Sequence, residues 1–506
     1  MPTFIAAGLI GVVVGWGLLF PASLGTTFDQ ALGFITHTFG SFYLWVVLAL
    51  VVMCVLLAFS RYGTLKLGGE DDEPEFSLGS WFSMLFAAGM GIGLVFWGVA
   101  EPISHYGTPP PGITPNTPDA ANAAMRYSFF HWGLHPWAVY SIVALAIAFF
   151  QFRRQQPALV SAVTSSLGSP LVQRLAPLFD ALAVIATAFG VAASLGIGAL
   201  QINSGLARVF GVPVSNTAQV IIIAVTTAIF ITSAVSGVEK GLKWLSNGNL
   251  IVAALLALAV FLLGPTVAII DTLTNTLGGY LSDLVRMSLR MTPFRQTDWV
   301  ASWTIFYWAW WVSWAPFVGL FIARVSRGRT IREFVLGTVL APTIAAMLWF
   351  SIFGGTALNL QLLQGAPIAE AVKADVSTAL FAMFDALPLG SVMSVVATLL
   401  VLVFFITSGD SATLVLGMMS HRGDPNPSAR SKILWGLLIA GIAVSLLLSG
   451  GLKAVQTATI VFALPFTVVI LLMALALWRG VRTDWLEEDR RERALKRRLR
   501  EMAGPR

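Results

Sequence analysis

Twelve runs of about 20 apolar residues follow one another along this chain of 506 residues, each long enough to cross the hydrocarbon core of a bilayer. They fall at 4–22, 41–60, 80–100, 131–152, 178–202, 216–236, 249–270, 300–323, 334–357, 387–408, 431–449 and 457–478. Inside lipid every backbone N–H and C=O must find its partner within the protein, so such runs become helices. The prediction is an all-α polytopic membrane protein with 12 transmembrane helices. A chain that is 57% hydrophobic and only 11% charged is not a soluble globular protein. The run at 4–20 has no positively charged leader and many similar runs follow it, so it reads as a retained helix and not a cleaved signal.

Basic residues set the orientation. With both termini in the cytoplasm, 24 of the 31 Lys and Arg lie on the inner side. The outer side holds seven: Arg126, Arg208, Arg286, Arg290, Arg295, Lys373 and Lys453. This fits a multi-pass protein of the cell inner (plasma) membrane, and it explains the basic charge without nucleic acid. A single cysteine, Cys54, excludes a disulfide framework or thiolate metal site. His37, His105, His131, His135 and His421 show no metal-ligand spacing.

Two outer connections, 273–291 and 368–384, alternate apolar and charged residues as helices lying at the outer interface do. The acidic run 70–75 reads as a solvated cytoplasmic loop. The tail, 479–506, carries ten Lys and Arg with Trp485, Leu486, Leu495 and Leu499 between them. It reads either as a solvated positive tail or as an amphipathic helix on anionic lipid.

Four stretches carry chemistry. At 303–316 the chain reads W-T-I-F-Y-W-A-W-W-V-S-W-A-P, with five of the 17 tryptophans. On a helix Trp310, Trp311 and Trp314 share one arc of about 100°. Such an indole face suits a cation that has no proton to donate, such as a quaternary ammonium group; an aromatic belt or plain packing is the alternative. Trp303 and Trp308 fall to packing. In the third run, Gly89, Gly91 and Gly93 alternate in mid-membrane. Close helix packing wants small residues four apart, whereas an unwound segment accounts for all three and frees backbone groups for ligands. The fourth run opens H-W-G-L-H-P-W-A-V-Y, from His131 to Tyr140, a second aromatic cluster with Pro136 in its first turn. The tenth ends F-F-I-T-S-G-D, where the hydroxyls of Thr407 and Ser408 either bond back to their own turn or ligate Na⁺. Asp410, at the membrane edge, is a functional residue or a partner for the Arg-rich loops.

The glycine motif G-M-G-I-G, the W-G-L-H-P-W-A-V-Y stretch and the long Y-W-A-W-W-V-S-W-A-P-F-V-G-L-F-I-A-R-V-S-R-G-R-T-I-R-E-F signature together resemble the betaine/choline/carnitine transporter (BCCT) family over nearly the full length. The resemblance implies a LeuT-like 5+5 inverted repeat. Two peripheral helices (1–60) precede a first repeat (80–272), an outer interfacial helix (273–297), a second repeat (298–478) and the basic tail (479–506). It implies a homotrimer, and a substrate site made of Trp132, Trp137, Tyr140, Trp310, Trp311 and Trp314 with the freed backbone of Met90, Gly91, Ile92 and Gly93. It also implies Na⁺ as coupling ion, held by the carbonyls of Ala87, Met90 and Phe404 and the hydroxyls of Thr407 and Ser408. A second Na⁺ would use Thr187 near Phe317, but Val191 stands where a second threonine would, and an isopropyl group offers no oxygen.

Choline-type members place an aspartate where this chain has Gly93, so a zwitterion suits it better: glycine betaine or dimethylsulfoniopropionate, with carnitine also possible. The expected function is import of such a compatible solute by Na⁺ symport and alternating access, with no organic cofactor. The alternatives are a sodium-independent carnitine/betaine exchanger or a choline carrier of the same family and, from another class, an osmosensor or channel. An enzyme is not expected, because no His/Asp/Glu constellation is legible near the cage.

Overall fold

The computed structural model describes residues 2–89, 91–236, 239–295 and 297–502. It is all helix apart from loops and one isolated antiparallel bridge between Lys66 and Thr330. In chain order the helices are α1 (Pro2–Leu19), α2 (Pro21–Phe59), α3 (Leu78–Gly89), α4 (Ile92–Gly107), α5 (Pro118–Trp132), α6 (Leu134–Ala148), α7 (Val160–Ser165), α8 (Pro170–Phe210) and α9 (Asn216–Ser236). There follow α10 (Glu239–Leu263), α11 (Thr266–Ser288), α12 (Phe306–Arg324), α13 (Ile331–Leu363), α14 (Ile368–Ala374), α15 (Ala379–Asp385), α16 (Gly390–Ser420) and α17 (Ala429–Met502). Nine helical stretches among the described residues are long and apolar enough to cross a membrane, and the chain is an all-α polytopic membrane protein.

Local chemistry sets many boundaries. Thr117 caps α5 by accepting from the Ala120 N–H, with Pro118 at the first helical position. Thr330 and Glu333 close a capping box on α13. Gly211, in the left-handed conformation, ends α8. Burial then separates inner from outer helices. In the most apolar eighteen residues of the α5–α6 stretch and of α8, 94% are buried, against 33% in α9 and 22% in α10. The inner helices hold the site: α12 packs along α6 and α8, and α13 along α4 and α6.

Several expected boundaries are corrected. The second run begins inside a helix of 39 residues that starts at Pro21. The run 249–270 is not one helix, because α10 ends at Leu263 and Gly264–Pro265 interrupts the backbone before α11. That α11 covers the expected outer helix but starts earlier, and Tyr280 fixes its inner face by accepting from the Leu134 N–H at 3.2 Å. The stretch 368–384 does not lie as one helix on the interface. It forms α14, a 3₁₀ turn and α15, with Leu380, Phe381, Met383 and Phe384 buried. Within the fourth run, Gly133 separates α5 from α6 between His131 and His135. A Cβ at Gly133 would lie 2.4 Å from the Phe129 carbonyl oxygen, so only glycine fits. The tenth run does not end near Ser408. Asp410 breaks the apolar run but not the helix, and α16 continues to Ser420.

The acidic loop is clasped and not merely solvated. Leu67 N donates to Arg329 O and Gly328 N to Leu67 O, both at 2.8 Å, while Asp72 pairs with Arg327. The tail continues α17, whose only non-helical residues are Gly450 and Gly451 among those described. Its first turns are bolted to the inner ends of other helices: Arg153 Nε donates to Asp484 at 2.6 Å, Arg153 and Arg154 pair with Glu488 and Asp484, and Arg61 lies over Trp485.

Candidate functional site

The third run is interrupted where the glycines predicted. Helix α3 stops at Gly89, Met90 lies outside the described residues, and Gly91 is extended (φ −158°, ψ −170°) before α4 starts at Ile92. The Gly91 carbonyl accepts from Leu94 N and Val95 N, so it begins the new helix. The first amides of such a helix have no acceptor within it and carry the positive end of its dipole.

Gly93, the second residue of α4, faces two indoles. A Cβ there would lie 2.8 Å from Trp310 Cη2 and 3.2 Å from Trp132 Cη2. Trp132 comes from the last turn of α5 and Trp310 from α12, so three elements meet at a residue without a side chain. Trp132 stands across Trp311 (centroids 4.8 Å, 74°) and Trp310 (6.1 Å, 82°), while Trp310 and Trp311 lie nearly parallel at 5.1 Å. Tyr140 of α6 meets Trp311 edge-on at 6.1 Å, and Trp137 joins through Tyr140 at 5.4 Å. Trp132 and Tyr140 thus stand roughly perpendicular to Trp311. All five rings are buried.

Hydrogen bonds hold the rings. Trp311 Nε1 donates to the His131 carbonyl at 2.9 Å, and Trp132 Nε1 donates to Glu101 Oε2 at 2.8 Å. Trp314 is placed apart from this group: its ring packs on Phe317 (5.3 Å) and its Nε1 donates to the Gly190 carbonyl of α8 at 2.8 Å. Trp303 and Trp308 are packing residues, the first against Trp97 and His105, the second stacked on His135.

Behind Trp132 lies a constellation that the sequence did not disclose. Glu101 of α4 is fully buried. Its Oε1 is 2.7 Å from His131 Nδ1 and 3.2 Å from His105 Nε2, and its Oε2 accepts from Trp132 and from the Tyr307 hydroxyl at 2.5 Å. His131 Nε2 meets Thr304 Oγ1 at 3.0 Å. The expectation of no His/Asp/Glu grouping near the cage is therefore corrected: Glu101, His105 and His131 meet at its back, close enough to be metal ligands. Their nitrogens bond to the one carboxylate oxygen, which is the pattern of a hydrogen-bonded triad. A carboxylate in an apolar run was the available signal, but three of its partners lie 30, 31 and 206 residues away.

The expected cation ligands are only partly gathered. Ala87 is in the last turn of α3, and Met90 is outside the described residues. Phe404, Thr407 and Ser408 lie in mid-α16. That stretch runs beside the break, since a Cβ on Gly198 of α8 would touch both Phe405 and Ile92. Thr407 Oγ1 donates to Val403 O at 2.9 Å, which leaves its lone pairs unspent. Thr187 is buried in α8, and its hydroxyl has no hydrogen-bond partner among the described residues.

The chain is similar to known proteins over almost its whole length. Residues 2–486 match the model of the family described as "BCCT, betaine/carnitine/choline family transporter". The chain is 49% identical over 492 residues to the glycine betaine transporter OpuD of Bacillus subtilis (strain 168), covering 97% of this chain and 94% of that one. It is 46% identical over 474 residues to an ectoine/hydroxyectoine transporter of Virgibacillus pantothenticus, covering 93% and 94%. It is 41% identical over 478 residues to a glycine betaine transporter of Acinetobacter baylyi, covering 94% and 72%.

Proposed function

Because the chain belongs to the betaine/carnitine/choline transporter family and is a membrane transporter and not an enzyme, we propose that it imports a betaine-like zwitterion together with Na⁺ by alternating access. The observation that carries this reading is the box of Trp132, Trp310, Trp311 and Tyr140, two of whose indoles, Trp132 and Trp310, meet at Gly93. A quaternary ammonium or sulfonium group has no proton to donate, so π faces are its natural partners. The amides at the start of α4 and the open space at Gly91 suit the anionic end. Glycine betaine is the first candidate, dimethylsulfoniopropionate and carnitine the next. The relative named for ectoine keeps other zwitterions in view.

Sodium is co-substrate in this account. Carbonyls of Ala87, Met90 and Phe404 and the hydroxyls of Thr407 and Ser408 hold one ion, and its binding orders the broken segment and hence the box. The Thr187 hydroxyl, which has no partner among the described residues, supports a second and weaker seat with Phe317, since Val191 supplies no oxygen. The nine long stretches become 12 crossings when α1 is counted, α3 and α4 are joined, and α17 is divided at its two glycines. The crossings then form two inverted five-helix repeats, 80–272 and 298–478, behind the two helices of 1–60, with 273–297 on the outer surface. The helices carrying the third, fourth, eighth and ninth crossings rock against the rest. Both termini lie in the cytoplasm, the assembly is a homotrimer in the inner membrane, and the tail 479–506 rests on anionic lipid.

Tryptophan fluorescence tests the reading. Titration of the purified protein with glycine betaine quenches or shifts the emission, with tighter binding in Na⁺ than in K⁺. The change disappears in Trp311→Ala. A titration identical in the two salts removes the sodium claim, and one unaffected by Trp311→Ala removes the box.

A further inference from the structure

Glu101 is a buried acid on the edge of a site for a cation. Gly93 lies about two turns away on the same helix, and this is the position at which a counter-charge was missing from the sequence. The four groups on its carboxylate are His105 and His131 at Oε1 and Trp132 and Tyr307 at Oε2. A carboxylate anion has room for about four donors and none of its own to place. The rings of Tyr127, Trp299 and Trp303 close around His105. No Lys or Arg pairs with Glu101 among the described residues, and its histidine partners answer the charge only when protonated. A buried charge in a membrane is costly unless something answers it.

We propose that the transported cation is what answers it. Glu101 is a positioning residue that acts through Trp132. The Nε1 hydrogen bond fixes the indole across Trp311, and the carboxylate that accepts it makes the ring more electron-rich. Cations are thereby favoured, while the space at Gly93 stays open for a zwitterion. A metal ion is the rival occupant of the triad and a purely structural tie between α4, α5 and α12 is the rival role.

This inference rests on the box being the substrate site, and its test separates the two. Binding of glycine betaine and of the tert-butylacetate anion, which has a tert-butyl group in place of trimethylammonium, is measured by calorimetry on the full-length protein in Na⁺. Wild type is expected to prefer betaine. Glu101→Gln is expected to weaken betaine binding by about tenfold and to leave the isostere within about twofold, so that discrimination collapses. Glu101→Asp, which keeps the charge, is expected to keep the discrimination, and it decides the matter where the Gln variant does not fold. Equal losses for both ligands in Glu101→Gln make the residue structural and overturn the proposal. So does unchanged discrimination in Glu101→Gln, or its loss in Glu101→Asp. Calorimetric uptake of Zn²⁺ by wild type that Glu101→Gln abolishes, with betaine discrimination intact, gives the triad to a metal instead. Failure of the transport reading appears elsewhere, as wild type that binds no quaternary ligand at all.

Discussion

The aromatic box and the hydroxyl-bearing stretch of α16 flank the same broken helix, yet they are built in opposite ways. Around the box two indole N–H groups reach fixed acceptors on other elements, Trp132 on Glu101 and Trp311 on the His131 carbonyl, while the Trp310 N–H has no partner among the described residues. On α16 the Thr407 hydroxyl bonds within its own helix. The rings are therefore oriented by the fold before a ligand arrives, while the oxygen lone pairs wait for a ligand to claim them. In this account the box supplies most of the substrate affinity and the hydroxyls supply its dependence on sodium.

Removing a wall of the box is the hardest blow to that division. Trp311→Ala is expected to weaken glycine betaine binding by about 30-fold, a desolvated cation–π contact being worth about 2 kcal/mol, whereas Trp311→Phe retains most of the affinity. Calorimetry at saturating Na⁺ checks both. Next comes a contrast between neighbours. Gly93→Ala puts a methyl 2.8 Å from Trp310 Cη2 and is expected to cost about tenfold in affinity, while Gly91→Ala enters open space and stays near wild type. Equal losses at the two positions would mean that the backbone break matters more than the shape of the box.

On the other side of the comparison, Thr407→Val is expected to raise the half-saturating Na⁺ concentration by about fivefold, the scale of one lost polar contact. Betaine affinity at saturating Na⁺ stays close to wild type. An equal loss in both quantities would dissolve the distinction between the two regions. The smallest effect is a gain: Val191→Thr places an oxygen one turn from Thr187 and is expected to lower the sodium requirement by about twofold. Uptake measured against Na⁺ concentration reads it.

Legibility in the sequence followed the range of the forces. The membrane class came from composition and run length, and the break at Gly91 from alternating glycines that helix packing alone does not need. The aromatic rings were recognisable because indole is rarely clustered; Trp132, Trp310 and Trp311 are in mutual contact, whereas Trp314 packs on Phe317. Helix ends were harder. Asp410 interrupts hydropathy without interrupting backbone hydrogen bonds, so α16 runs on to Ser420. Residues 368–384 have an interfacial pattern, but their apolar side chains are buried within the protein. The Glu101 network was invisible because its partners come from α4, α5 and α12, and only His105 stands at a helical spacing. The clasp of Asp72 on Arg327 escaped for the same reason, at a separation of 255 residues.

The central claim is coupling, and counterflow-free uptake into proteoliposomes tests it most directly. With labelled glycine betaine outside and an inward Na⁺ gradient, the account predicts accumulation above the outside concentration that vanishes when K⁺ replaces Na⁺ and in Trp311→Ala. Uptake of the same rate and extent in both salts would contradict it.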